Sequence, residues 1–484
     1  MILSKEQINR YLRNIIIPEI SGAGQKKIIE SKVFISAATV EDASSLIYYL
    51  AASGVGNIYC SFKNNQGFDN LLSKVQDLNC DVAIELIDYQ SDEVYENLLL
   101  NDGFVIRILI CNYGNLKDNL MDFSNSHDNS KYIPTIVAIY SEWKGFLFTV
   151  NNQEDFDSLS LNSLDLPDLE SPSLEKEGDI LSTCLLGTIT AVEYIKLCLN
   201  IGISLNNPFY FNLLSMEFYK SEDNNINKAI VDFFKDDYSK TLLPTIFEKT
   251  LKTKKLSESK VLIIGTGGLG SPATFALASL GIGTLGLVDF DTVEISNLNR
   301  QILHSSSRIN MPKVQSAKVF IKDLNPNINV IIYNTSLDIS NAIDIIKDYD
   351  VVVDGVDNFP DRYLINDSCY YANIPLVDAA AVRFHGLIMT ILPKKGPCYR
   401  CISPKIPDKN GVSCSEAGVL GPIPGVMGFL QAAEVVKLLL GKGNTLCNRI
   451  IYYDALNCDF DTINTHRSSN CELCGNSLAV NEPT

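Results

Sequence analysis

Residues 260–285 read KVLIIGTGGLGSPATFALASLGIGTL: an apolar strand, a glycine-rich turn, a helical stretch of small and apolar residues, and the start of a second strand. A glycine turn between strand and helix lets backbone N–H groups approach phosphate oxygens at a helix N-terminus. The pattern occurs twice. Residues 32–58, KVFISAATVEDASSLIYYLAASGVGNI, align with it over their length with one gap. Further on, IPTIV (133–137) echoes IPLVD (374–378), and AVEYIKL (191–197) echoes AAEVVKL (432–438). Three matches in one order and at one spacing predict two tandem doubly wound Rossmann-like α/β domains with mainly parallel sheets. Residues 1–220 form the first, 256–475 the second; 221–255 read as a linker, polar and charged in its first part, and 476–484 as a tail.

The halves differ where phosphate chemistry would be done. Opposite Gly265, Gly267, Gly268 and Gly270, the first half offers Ser36 to Asp42 without a glycine, and Glu41 and Asp42 would repel a phosphate. Opposite Asp289 it has Cys60. The first half is therefore expected to have lost its nucleotide site. In the second half, Asp289 closes the next strand about twenty residues on, where a carboxylate binds ribose hydroxyls. On those residues alone a nicotinamide or flavin domain fits equally well.

The segment that follows, DFDTVEISNLNRQ (289–301), then Pro312-Lys313 and VDGVDN (353–358), brings a different set of groups. Arg300 and Lys313 would neutralise a triphosphate, and Asp357 would hold Mg²⁺, which favours few carboxylates plus phosphate oxygens. Taken singly, these are ordinary surface charges and a turn. Together with GTGGLGSP they resemble the ThiF/MoeB/HesA family, the bacterial relatives of ubiquitin-activating enzymes, over almost the whole second half. The resemblance implies an ATP-dependent adenylyltransferase acting on the C-terminal carboxylate of a small ubiquitin-like sulfur-carrier protein. It assigns Gly265, Gly267, Gly268 and Gly270 to the phosphate loop and Asp289 to the ribose. Asn297, Arg300, Gln301 and Lys313 would surround the triphosphate, with Asp291 and Asn358 nearby and Asp357 on Mg²⁺. A carboxylate nucleophile is already ionised at neutral pH, so no general base is required.

Members of that family begin with an Arg-Tyr-x-Arg segment whose second arginine reaches a partner protomer's site. Here the segment occurs once, as Arg10-Tyr11-Leu12-Arg13, ahead of the degenerate half; the corresponding place in the second half reads Asp237-Tyr238-Ser239-Lys240. The resemblance therefore implies an intramolecular pseudo-dimer with one composite site, completed by Arg13. A local capping role for Arg13, with Lys240 in its place, is the alternative.

Cys398 and Cys401 pair with Cys471 and Cys474 as two Cys-x-x-Cys knuckles, a set suited to a closed, structural Zn²⁺ site; a redox dithiol would explain one knuckle only. Cys414 lies in the stretch SCSEAGVLGP (413–422), where the family resemblance implies a thioester, acyl disulfide or persulfide with the activated carrier. Some relatives transfer sulfur without it. The acidic stretch 151–179 reads as a solvated loop. A net charge of −17 argues against a nucleic-acid partner, and no run of about 18 apolar residues or basic-then-apolar start suggests a membrane or export. The expectation is a cytoplasmic protein with reduced thiols, ATP, Mg²⁺ and Zn²⁺ as cofactors, and a separate sulfur donor, since no sulfurtransferase domain follows 475. A homodimer of the whole chain is left open. Competing readings are adenylation of a ribosomal peptide C-terminus, a noncatalytic scaffold and a dehydrogenase.

Overall fold

The computed structural model describes residues 3–87, 104–125, 133–152, 176–221, 226–235, 253–405 and 417–475. Strands of the first half are β1 (Lys32–Thr39), β2 (Asn57–Asn64), β3 (Ala83–Leu86), β4 (Val105–Asn112), β5 (Thr135–Ser141), β6 (Lys144–Val150), β7 (Phe209–Asn212) and β8 (Glu217–Lys220). Those of the second are β9 (Lys260–Ile264), β10 (Thr284–Val288), β11 (Asn329–Tyr333), β12 (Val351–Asp354), β13 (Leu376–Val382), β14 (His385–Ile391), β15 (Arg449–Asp454) and β16 (Asp459–Asn464). The two eight-stranded sheets have one topology, β3-β2-β1-β4-β5-β6-β7-β8 and β11-β10-β9-β12-β13-β14-β15-β16. In each, the first five strands are parallel and the last three antiparallel. The expected pair of doubly wound domains is present, and the echoed segments occupy matching places in it.

The helices that position the site are α1 (Lys5–Arg10), α2 (Leu12–Ile15), α3 (Val40–Ser53), α4 (Lys176–Leu199), α5 (Ile226–Lys235), α6 (Gly270–Ser279), α7 (Lys313–Leu324), α8 (Phe359–Ala372) and α9 (Pro422–Leu440). α4 and α9 are long and apolar enough to cross a membrane, yet 83% and 94% of their most apolar stretches are buried inside the protein. They explain the repeated AVEYIKL and AAEVVKL. Glu193 pairs with Lys196 at 2.9 Å and Glu434 with Lys437 at 2.5 Å, and each carboxylate also accepts a backbone N–H at 2.7 Å, from Leu205 and Leu446. Paired and hydrogen-bonded, these charges tolerate burial; losing one partner would strand the other.

One apolar core runs through both halves. Tyr48 meets Phe275 edge-on at 5.8 Å and Tyr49 meets Phe429 at 6.3 Å. The contact between the halves is self-complementary, as in a two-fold dimer. After α4, Ile203 N–H donates to the Leu456 carbonyl at 2.8 Å; after α9, Asn444 N–H donates to the Leu214 carbonyl at 2.6 Å. Gly202 and Gly443 both have φ of +65°, and a Cβ on either would lie 2.4 Å from the same carbonyl that its neighbour bonds.

The described part of the linker is not a free connector. α5 lays Phe233 against Tyr210 at 4.8 Å and stacks Phe234 on Tyr113 at 4.6 Å, so it belongs to the first half's outer layer. Gly187 of α4 and Gly428 of α9 hold matching positions where helices nearly touch; a Cβ at 428 would sit 2.4 Å from the Leu269 carbonyl. Replacing Gly428 by Val should force α9 off α6 and lower stability by about 1–3 kcal/mol, the cost of an overpacked core. Urea unfolding of the two proteins measures it, through the shift in midpoint at unchanged slope.

A candidate nucleotide site between the halves and a four-cysteine cluster

β9 ends at Ile264 and α6 starts at Gly270, so residues 265–269 form an open turn above the strand. Gly265 has φ of +87°, and a Cβ there would lie 2.8 Å from the Gly355 carbonyl, which makes glycine obligatory. Around Gly267 the nearest group to an added Cβ is Gln301 Nε2 at 3.5 Å, so that backbone stays approachable. Gly270 is a glycine for a reason of packing. Its missing Cβ would stand 1.9 Å from the Gly265 carbonyl, so it closes the helix onto the turn rather than facing a ligand.

In the first half, β1 ends at Thr39 and α3 begins at Val40, leaving no turn between them. Thr39 and Asp42 cap the helix reciprocally: Thr39 N–H donates to Asp42 Oδ2 at 3.0 Å and Asp42 N–H to Thr39 Oγ1 at 3.3 Å. The Tyr140 hydroxyl donates to the other oxygen at 2.7 Å. The chain's own carboxylate thus caps the first half's helix at the place that corresponds to the second half's glycine turn.

Above the second half's turn lies a cavity of about 970 Å³, of a size that takes a nucleotide. Gly265, Gly267, Gly268, Asp289, Asp291, Asn297, Arg300, Gln301, Lys313, Asp357 and Asn358 line it, and so does Arg13 from the other half. Of the Arg-Tyr-Leu-Arg segment, Arg13 alone reaches it. Arg10 is buried, donating to the Leu78 carbonyl at 2.7 Å and to Ser306 Oγ at 3.3 Å, and the Tyr11 hydroxyl donates to Asp81 at 3.0 Å.

Charges within the cavity are partly paired. Lys313, at the N-terminus of α7, holds Asp291 at 2.8 Å with its side chain 9% exposed, and Arg300 donates to the Ser296 carbonyl at 2.8 Å. Asp289 accepts from Thr266 N–H at 2.8 Å and Thr266 Oγ1 at 3.0 Å with one oxygen, and from Asp291 N–H at 3.0 Å with the other. Asn297 and Asn358 carry structural duties as well: Asn297 accepts from Glu294 N–H at 3.1 Å, and Asn358 caps α8 through Asp361 N–H at 3.0 Å. Gln301 Oε1 is buried and has no hydrogen-bond partner, an orphan acceptor that a ligand hydroxyl would satisfy. Asp357 is exposed at the cavity wall.

Sequence reading missed two residues here. Arg362 lines the cavity, but its guanidinium is committed to Asp378 and to the Ala379 and Val356 carbonyls, fixing β13 against β12. His304 lies under the phosphate turn, with Nε2 3.1 Å from the Thr266 carbonyl and Nδ1 2.9 Å from Ser316 Oγ. Nothing in its sequence context marks it, because both partners arrive from distant elements.

Cys398, Cys401, Cys471 and Cys474 come together with all four Sγ atoms within 4.8 Å of one another, the one such cluster among the described residues. Separations of 3.9, 3.5 and 3.2 Å are far longer than a disulfide and close to the roughly 3.8 Å edge of a tetrahedron with Zn–S of about 2.3 Å. Burial pushes the Cys471 thiol up, but N–H donors from Cys474 and Leu473 bring it down to about 7, favouring thiolate. The donor set fits zinc. Cys414 and Lys240 lie outside the described residues.

Fold and site together define a nucleotide-binding α/β protein whose one glycine turn is faced by cations from two halves. A family model described as "ThiF family" matches residues 238–473. A SAMP-activating enzyme E1 of Haloferax volcanii is 44% identical over 222 residues, 46% of this chain and 82% of that protein. The molybdopterin-synthase adenylyltransferase of Escherichia coli is 43% identical over 221 residues, 46% of this chain and 88% of that protein. An adenylyltransferase and sulfurtransferase MOCS3 of Dictyostelium discoideum is 47% identical over 230 residues, 47% of this chain, which spans about half of that relative's length. The chain belongs to the ThiF family.

Two measurements follow from this geometry. Burial pushes His304 down to about 3 from an ordinary value near 6.5, so the unfolded chain binds the extra proton. Stability is then full above about pH 6.5 and falls as pH drops toward 3, by up to about 1.4 kcal/mol per pH unit. Urea unfolding at several pH values should show a shallower decline for His304→Gln. For the cysteines, elemental analysis should find one zinc per chain, and Cys471→Ser should lose it and lower the unfolding midpoint.

Proposed function

We propose that this chain, an adenylyltransferase of the ubiquitin-activating type, uses ATP to convert the C-terminal carboxylate of a small ubiquitin-like sulfur-carrier protein into its acyl-adenylate, releasing pyrophosphate. The observation that carries this reading is the meeting of Arg13, Arg300 and Lys313 on one glycine-lined cavity. The carboxylate oxygen attacks the α-phosphorus, the bond to the pyrophosphate oxygen breaks, and negative charge builds on nonbridging oxygens and on the departing group. Fixed cations stabilise that charge without reorganising, which is where most of the rate acceleration arises.

In this scheme the turn at Gly265, Gly267 and Gly268 receives phosphate oxygens through backbone N–H groups, and Asp289 and Gln301 meet the nucleotide's hydroxyls. Lys313 exchanges Asp291 for phosphate, and Arg300 flanks it. Asp357 would hold Mg²⁺, which when bound supplies charge neutralisation on the phosphates. Arg13 completes the site from the first half, so one chain carries one composite centre. The adenylate is then passed on for thiocarboxylate formation or for transfer through Cys414.

Relatives named as an activating enzyme E1 and as a molybdopterin-synthase adenylyltransferase support a protein carboxylate as the substrate over a ribosomal peptide. ATP–pyrophosphate exchange, run against small proteins ending in Gly-Gly, tests the reading. Arg13→Ala should cost about 3 kcal/mol of transition-state stabilisation, roughly a hundredfold in rate. Exchange within about twofold of the parent would rule out the composite centre.

A further inference from the structure

Arg13 and Arg300 come from opposite halves, and one buried residue bonds both the Arg300 side chain and Asn14, the chain neighbour of Arg13. Asn299 is fully buried, next to Arg300 in the chain. Its Oδ1 accepts from Arg300 Nη1 at 2.8 Å, and its Nδ2 donates to Asn14 Oδ1 at 3.4 Å. Asn14, also fully buried and next to Arg13, in turn donates to Gln25 Oε1 at 3.1 Å, and Gln25 Nε2 donates to the Ser53 carbonyl at the end of α3 at 2.8 Å. The chain of amides therefore runs from one cavity arginine, across the boundary between halves, into the frame that carries the other.

The backbone repeats the arrangement. Val419 N–H donates to the Arg13 carbonyl at 3.2 Å, and a Cβ on Gly418, where φ is +77°, would lie 2.6 Å from that oxygen. Three residues on, a Cβ on Gly421 would lie 2.1 Å from the Asn299 carbonyl. Gly418 and Gly421, the two ends of the segment 418–421, thus press on the backbones of Arg13 and Asn299, with no room for a side chain at either position. Arg383 fixes that segment from below, its N–H donating to the Gly418 carbonyl at 2.9 Å and its carbonyl accepting from Leu420 N–H at 3.1 Å.

We propose that Asn299, bridging Asn14 and Arg300, is a positioning residue that sets the spacing of the two arginines across the boundary. It makes no contact with substrate in this role. Asn299 meets its two neighbours with different ends of one amide, Arg300 through Oδ1 and Asn14 through Nδ2, so removing the amide releases both at once. Preorganised charge is effective only where its spacing matches the developing charge, which makes a displaced arginine pair a rate defect rather than a folding defect. The inference rests on the proposed adenylation and on Arg13 acting in it.

A double-mutant cycle tests it, with carboxylate-dependent ATP–pyrophosphate exchange and the KM for ATP measured on the whole chain. Asn299→Ala should slow exchange tenfold or more, chiefly through kcat, with an unfolding midpoint that leaves the protein fully folded at assay temperature. In the Arg13→Ala background the same change should cost less than a third of that factor, because one of the two groups it positions is gone. Asn14→Ala, which leaves Arg300 untouched, should slow exchange in the same direction and add little to Asn299→Ala. Equal costs of Asn299→Ala with and without Arg13 would overturn the proposal, as would full multiplicativity of Asn14→Ala and Asn299→Ala. If Asn299→Ala does not fold, the Asn14→Ala and Arg13→Ala cycle decides by the same rule, equal costs again overturning it. If Arg13→Ala by itself leaves exchange unchanged, it is the composite-site reading that fails.

Discussion

Everything distinctive about this molecule depends on the self-complementary packing of its two halves. α4 and α9 lie against each other, and the loops that follow them exchange matching backbone hydrogen bonds with Leu456 and Leu214. That packing places the first half's α2 over the second half's glycine turn. A separate second half would present Arg300 and Lys313 to its cavity but not Arg13. The packing of the halves therefore brings a side chain of the first half, Arg13, to the wall of the second half's cavity.

The two halves also show how one topology can carry two different junctions at the same place. The difference is local. In the second half five residues separate strand and helix, and three of them, Gly265, Gly267 and Gly268, line the cavity. In the first, the strand feeds straight into the helix and Asp42 satisfies the end of it, in contact with Tyr140. A half-buried carboxylate in that position caps the helix and would repel a phosphate there.

Much of this could be read in the sequence, for identifiable reasons. Strand, turn and helix are written in local periodicity, so the repeated fold and the glycine turn were visible, and two Cys-x-x-Cys pairs announce their chemistry by spacing. Arg13 was suggested by what each half lacks, and the structure brings it to the cavity. The contacts of Gly270, His304 and Asn299 are not legible, because each is decided by an atom distant in the chain or by a close approach of backbones. The sequence around α5 reads as linker because polar neighbours mask an apolar face that only the aromatic residues of β6 and β7 reveal.

The most direct test of one composite centre per chain is a crystal structure with a nonhydrolysable ATP analogue. It should hold one analogue per chain, its phosphates over residues 265–269, with the Arg13 guanidinium within hydrogen-bond distance of a phosphate oxygen. An analogue bound in the first half, or phosphates seated with Arg13 turned away from them, would contradict the account.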